Sequence, residues 1–457
     1  MRNVSRMASS FRDVQSKLES LGNLDFESLK EKAISLMKQN QQLENIISKL
    51  REPGVEKPKA DHLFNFDRYK KRHIALKFSY LGWGYGGLVP QGCYSLTVMD
   101  RIFEALERCR LVEDRNNCNF SVCGRTDRGV SGLGQVVSLI SRSLLASGVG
   151  VVDDSGRCIS ERHDVPDKEM DFVSMLNKNL PHDIRILAWS PVSYEFNARF
   201  SCTRRSYEYF FPESGLNIKS MVDAGSRLVG VHDFRNFCAS RIDKDTVTFM
   251  REIFEVTINF VESSEEYSNN HSGLCCVSIS ASGFLYHQIR YIVSILFMVG
   301  RGYESPSVVD DLLDLNKTPA KPQYQLAADF PLLFITGDYP ESLLSWETSE
   351  AAQLDLVKHY QKLWSEYGIR SAIVKRILNY VEGSIQNSSS LNYHLDKIVS
   401  EARFRDSLHP SNKKNAIKKL CTRQMEPTLD EKIEKIHKKR KMNSCHSENL
   451  VEGEKIT

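Results

Sequence analysis

None of the eleven cysteines forms a Cys-x-x-Cys pair, and no histidines sit at metal-ligand spacing, which argues against both a zinc site and a disulfide framework. The expectation is reduced, mostly packed thiols in an intracellular protein. Long uninterrupted apolar runs are also lacking. The longest apolar helix candidate, residues 284–299, carries His287, Gln288 and Arg290 and is no membrane span. A glycine-rich stretch at 82–87 lacks the Lys-Ser/Thr ending of a phosphate-binding P-loop, so a nucleotidase of that type is excluded. Net charge is only +3, but it is unevenly spread. Residues 403–441 hold thirteen Lys or Arg against five Asp or Glu, a footprint suited to a polyanion.

With 41% apolar residues in 457, the chain can bury two domain-sized cores plus appendages. Residues 26–50 repeat Leu29, Leu36, Leu43 and Leu50 every seventh position, with Phe26, Ala33, Asn40 and Ile47 completing a seam. That pattern fits either an intermolecular coiled coil or an amphipathic helix lying on its own chain. A proline-bearing linker at 52–61 follows. An alternating strand is expected at 73–80, then a helix at 98–111 capped by Thr97, then strands at 119–122 and 135–140. Residues 142–170 read as an inserted surface loop. A helix at 171–179 and a strand at 184–189 complete a βαββαβ unit, the ferredoxin-like pattern. A second such unit starts near residue 196, with strands at 206–211, 253–261 and 274–279 and a helix at 284–299 stopped by Gly300. The fold class is therefore α+β: two ferredoxin-like, RRM-like units sharing a central mixed, mainly antiparallel sheet. Boundaries are expected at 1–60 (coiled-coil helix and linker), 61–195, 196–340, and 341–457 (helical extension with a basic tail).

Three stretches could carry chemistry. The loop from Val122 to Ser131 contains a single carboxylate, Asp127, beside Thr126 and between Arg125 and Arg128. A carboxylate among guanidiniums stays ionised at neutral pH and is available as nucleophile or base. Arg290 interrupts an apolar helix face and must either snorkel or pair with a buried acid; Asp127 is the candidate partner. The run Arg204-Arg205-Ser206-Tyr207-Glu208-Tyr209 joins cations to alternating aromatics, which suits RNA laid across a sheet as well as ordinary packing. Arg125, Arg128, Arg199 and Arg205 exceed what neutralising one acid requires, and phosphate contacts would use the surplus.

The stretches Gly124-Arg125-Thr126-Asp127-Arg128-Gly129-Val130, Arg205-Ser206-Tyr207-Glu208-Tyr209 and Phe284-Leu285-Tyr286-His287-Gln288-Ile289-Arg290 resemble the motifs of TruA-type tRNA pseudouridine synthases. So do Phe196-Asn197-Ala198-Arg199-Phe200 and Gly230-Val231-His232-Asp233-Phe234, in the family's order over residues 73–335. The resemblance implies that Asp127 is the catalytic aspartate, that Arg290 is its ion-pair partner, and that Tyr207 packs on the target uracil and removes the proton at C5. It implies no cofactor and no metal, tRNA as partner, and a homodimer. Ser131 and Gln288-Ile289-Arg290 point to the eukaryotic branches, and residues 206–211, 232–238 and the tail 423–428 resemble the branch that modifies uridines 38 and 39 of the anticodon arm. The alternatives are a multi-site eukaryotic synthase and a non-catalytic tRNA-binding protein. Cytoplasm and nucleus are the expected compartments. The basic cluster at 438–441 reads as a nuclear signal or a solvated tail, and the arginines of residues 1–12 weakly resemble a mitochondrial presequence.

Overall fold

A computed structural model describes residues 64–90, 95–152, 168–213, 215–239, 248–261, 273–386 and 418–434. The heptad at 26–50, the linker at 52–61 and the basic cluster at 438–441 lie outside the described residues. Strand β1 (Lys70–Tyr80) places Ile74, Leu76, Phe78 and Tyr80 on one face, all buried. Ala75 and His73 on its other face are buried too, so the strand is covered on both sides. Helix α1 (Val98–Arg108) begins at a capping box, in which the Thr97 hydroxyl accepts from the Asp100 amide while Asp100 accepts from the Thr97 amide at 2.9 Å. Its Val98, Met99, Ile102, Phe103 and Leu106 pack on the first face of β1.

Strands β2 (Ser121–Val122) and β3 (Ser131–Ser143) follow. Of the segment expected as a surface loop at 142–170, residues 142–143 end β3 and a short edge strand, β4 (Val151–Val152), pairs with β1 at Lys71 and Arg72, while 153–167 lie outside the described residues. That edge is anchored by an ion pair of 3.1 Å between Arg72 and Glu169, both nearly inaccessible. Helix α2 (Phe172–Asn177), capped by Asp171, leads to β5 (Ile184–Pro191). The second half brings β6 (Arg204–Pro212), α3 (Ile218–Ser226), β7 (Gly230–Asp233), β8 (Met250–Phe260) and β9 (Leu274–Ala281). It ends with α4 (Gln288–Gly300), α5 (Val308–Leu313) and β10 (Leu332–Asp338).

All ten strands join one mixed, mainly antiparallel sheet, and with its helices the fold is α+β. The order is β4-β1-β3-β10-β6-β9-β8-β7, with β5 also on β1 and β2 also on β3. The first half therefore runs β5-β1-β3-β2 and the second β10-β6-β9-β8. They meet where β10 runs parallel to the start of β3, Leu333 opposite Ser131 and Thr336 opposite Gly134. Both halves carry their helices over a buried apolar face, with Tyr207, Tyr209 and Phe211 of β6 beneath α4.

Helix α4 begins four residues later than expected, because His287 takes a left-handed backbone (φ 62°) at its N-cap. Gly300 is not its stop. The glycine that ends it is Gly302 (φ 72°), just past the C-cap Arg301, where a residue without a Cβ accepts the left-handed turn. Beyond the sheet, α6 (Glu350–Gln386) is 37 residues long and is anchored near its start, where Tyr360 bonds Ser79 and His359 bonds the carbonyl of His182. Further along it exposes Trp364, Ile373, Ile377 and Tyr380. Among the described residues no helix is long and apolar enough to cross a membrane.

Phe334 of β10 is fully buried at the seam between the halves and meets the Tyr207 ring edge-on, with centroids 5.1 Å apart. Replacing it with alanine leaves a cavity there. Phe334→Ala is expected to destabilise the protein by about 3–5 kcal/mol in denaturant unfolding. A cost below about 1 kcal/mol would show that the seam is not packed as described.

Candidate active site

The loop between β2 and β3 is pinned at both ends, which leaves its middle projecting. The Gln135 side chain bonds both backbone groups of Gly124, at 3.0 and 3.4 Å. Thr126 is buried and its hydroxyl pairs with that of Tyr80 at 2.8 Å. The Val130 amide closes a turn onto the Asp127 carbonyl at 3.3 Å. Gly129 sits at φ 79°, and a Cβ there would lie 3.0 Å from the Asp329 carboxylate, so two independent constraints keep it glycine. Asp127 is thereby aimed into a cleft of about 710 Å³ between the two halves of the sheet.

The opposite wall is the start of α4. Arg290 anchors its Nε on the Ala327 carbonyl at 2.8 Å. Its Nη1 lies 3.9 Å from Asp127 Oδ2, and its Nη2 lies 4.0 Å from Asp329 Oδ2. His287 brings its Nε2 to 3.4 Å from the same oxygen of Asp127 and stacks on Tyr286 at 3.7 Å. Asp127 thus faces the Arg290 guanidinium, which favours the carboxylate, with the His287 imidazole beside it.

Tyr207 forms the floor between the two. Its ring is held edge-on by Phe284 at 5.2 Å and by Phe334. Burial, reinforced by the nearby Tyr80, Cys123 and Asp127, pushes its hydroxyl far above the usual phenol range. The phenol therefore keeps its proton at neutral pH in the free protein.

The arginines divide into two kinds. Arg125 and Arg199 are exposed and line the cleft, with Arg199 lying over the Phe200 ring at 5.5 Å. Arg128 is exposed but is not among the residues lining the cleft. Arg205, expected at phosphates, is spent on the protein itself. Its Nε and Nη2 donate to the Cys123 carbonyl at 3.2 and 3.0 Å, its Nη1 to Ser282 at 2.9 Å, and its Nη2 to Arg199 at 2.6 Å. One planar fork therefore ties three segments around the cleft, so its ligand is main chain and not phosphate. Sequence reasoning assigned no role to His287, Asp329 or Arg251, the last another cation lining the cleft. His287 lay within a quoted motif; the other two gave no local signal.

A family model described as tRNA pseudouridine synthase matches residues 224–340. Over 355 residues the chain is 39% identical to the tRNA pseudouridine(38/39) synthase of Mus musculus, covering 77% of this chain and 72% of the relative. Its identity to the Homo sapiens protein of that name is 37% over 350 residues, with 76% and 72% covered. For the Saccharomyces cerevisiae protein of that name the identity is 37% over 326 residues, with 69% and 68% covered. With cleft, carboxylate and arginine in place, these matches show that the chain belongs to the tRNA pseudouridine synthase family.

The role given to Arg205 is open to direct test. Arg205→Lys keeps the charge but cannot reach three segments at once. The expected result is a loss of about 2 kcal/mol in unfolding free energy. Unchanged stability would show that the fork is not holding the cleft together.

Proposed function

We propose that this protein isomerises uridine to pseudouridine at positions 38 and 39 of the tRNA anticodon arm, with Asp127 as the catalytic carboxylate. The observation that carries the reading is the Asp127 carboxylate 3.9 Å from Arg290 in a cleft open to solvent and floored by an aromatic ring. Three relatives named tRNA pseudouridine(38/39) synthase support the choice of positions.

The chemistry asks for little more than this. The target nucleotide leaves its stack at a cost of roughly a few kcal/mol, which cationic contacts to phosphates offset. Arg125 and Arg199 supply such contacts at the cleft rim, with Thr126 and Arg205 shaping the loop behind them. Asp127 then either attacks C1′ or removes the 2′ proton, and the C1′–N1 bond breaks. The freed uracil turns against the Tyr207 ring and C5 bonds C1′, as the Asp127 oxygen leaves C1′ in the first route or Asp127 returns the proton to C2′ in the second. The proton leaving C5 balances the one gained at N1, so no atom or electron is added overall. Arg290 faces the free carboxylate and favours its ionised form before it reacts, with His287 beside it.

The two halves, β5-β1-β3-β2 and β10-β6-β9-β8, share one strand order, which supports reading them as paired ferredoxin-like units. A homodimer is part of the same proposal. The exposed apolar stripe of α6 offers surface for one to cover, and the heptad at 26–50 offers a coiled-coil seam. Action in cytoplasm and nucleus belongs to the same proposal, and the basic cluster at 438–441 fits a nuclear signal as well as a solvated tail.

The test pairs a substitution with chemical mapping. Asp127→Asn is expected to bind tRNA within roughly twofold of the wild type while forming no pseudouridine. In cells lacking the protein, loss of pseudouridine is expected at 38 and 39 alone. Full activity in Asp127→Asn would end the reading, and loss at other positions would assign the enzyme to a multi-site class.

A further inference from the structure

Arg290 is held from behind by an extended segment, residues 321–329. Ala327 exchanges backbone and side-chain bonds with it: its carbonyl accepts Arg290 Nε at 2.8 Å, and its amide reaches the Arg290 carbonyl at 3.4 Å. Asp329 touches the guanidinium from the far side. The Gln325 carbonyl accepts from the Ser294 hydroxyl, one turn further along α4, at 2.7 Å. This segment has no regular structure of its own to hold it straight.

What braces it is the far C-terminal part of the chain. Residues 418–434 lie across the start of the segment as a strap. The Gln323 amide bonds the Gln424 carbonyl at 2.9 Å, and the Glu426 amide bonds the Lys321 carbonyl at 2.8 Å, around a bridge between Pro322 and Met425. Leu420 is fully buried, its amide on Glu304 at 2.7 Å. Glu426 is the hub. One oxygen pairs with Lys321, whose side chain is 3% exposed, and the other pairs with Lys432, each at 2.8 Å. An ammonium that inaccessible needs its carboxylate, because without one the charge stays buried and uncompensated.

We propose that the strap at 418–434 is a positioning element of the active site, acting through Glu426 on the 321–329 segment to fix the guanidinium of Arg290. The strap sets the place of the arginine that faces the carboxylate, and small displacements at a reacting centre are costly in rate. This rests on the catalytic reading above, so one of its two readouts is independent of activity.

The experiment uses the full-length chain and Glu426→Gln, which keeps the shape and removes the charge. Hydrogen exchange at the Ala327 amide, measured without RNA, is expected to speed up by about tenfold as the segment loosens. With tRNA, kcat is expected to fall roughly tenfold while KM stays within about twofold. Glu426→Asp should recover part of both. If Glu426→Gln does not fold, Glu426→Asp carries the test with the same signs. Unchanged exchange at Ala327 overturns the proposal, and so does a wild-type kcat. A raised KM at intact kcat also overturns it, since the strap would then serve RNA binding. A wild-type protein that makes no pseudouridine would refute the catalytic reading, while the exchange result would still stand.

Discussion

A guanidinium with most of its surface hidden must be matched by negative charge, and in this protein Arg290 is matched twice. Asp127 lies on one side at 3.9 Å and Asp329 on the other at 4.0 Å, while a main-chain carbonyl fixes the Nε between them. Removing water from such a group is expensive unless every direction is answered. That requirement places the start of α4, the loop carrying Asp127 and the segment reaching Asp329 within one small volume. The cleft is what remains open on the solvent side of that junction.

The sheet makes the junction possible. Asp127 comes from the first half of the chain, and Arg290 and Tyr207 from the second. They meet because β10 returns to run parallel to the start of β3, which places the loop before β3 beside β6 and α4. Phe334 then lies under Tyr207 as part of the same seam. Packing across that seam and geometry at the carboxylate are therefore one problem. Arg205 tightens it from the rim by binding carbonyls of three separate segments.

Much of this was legible in the residues alone, and the remainder was hidden for definite physical reasons. Local rules found what local forces decide. Thr97 caps its helix as expected, the strand expected at 73–80 lies within β1, and a lone arginine on an apolar helix face found the acid it needed. The strand β10 escaped notice because a short apolar run gains strand character only from distant partners, Ser131 and Tyr209 among them. Arg205 was misjudged because a guanidinium offers the same donors to a phosphate and to a carbonyl, and only position decides which it meets. Asp329 stands 202 positions from Asp127 with no motif around it, and its meaning comes entirely from Gly129 and Arg290 closing on it. Gly300 looked like a helix stop, but the left-handed turn fell two residues later, at Gly302.

The most direct test is a structure of the Asp127→Asn protein bound to a tRNA anticodon arm. The expected result is a target uridine turned out of its stack into the cleft, its C1′ in contact with the side chain at 127 and its base against the ring of Tyr207. A uridine seated elsewhere, with the cleft beside Arg290 left unfilled, would contradict it.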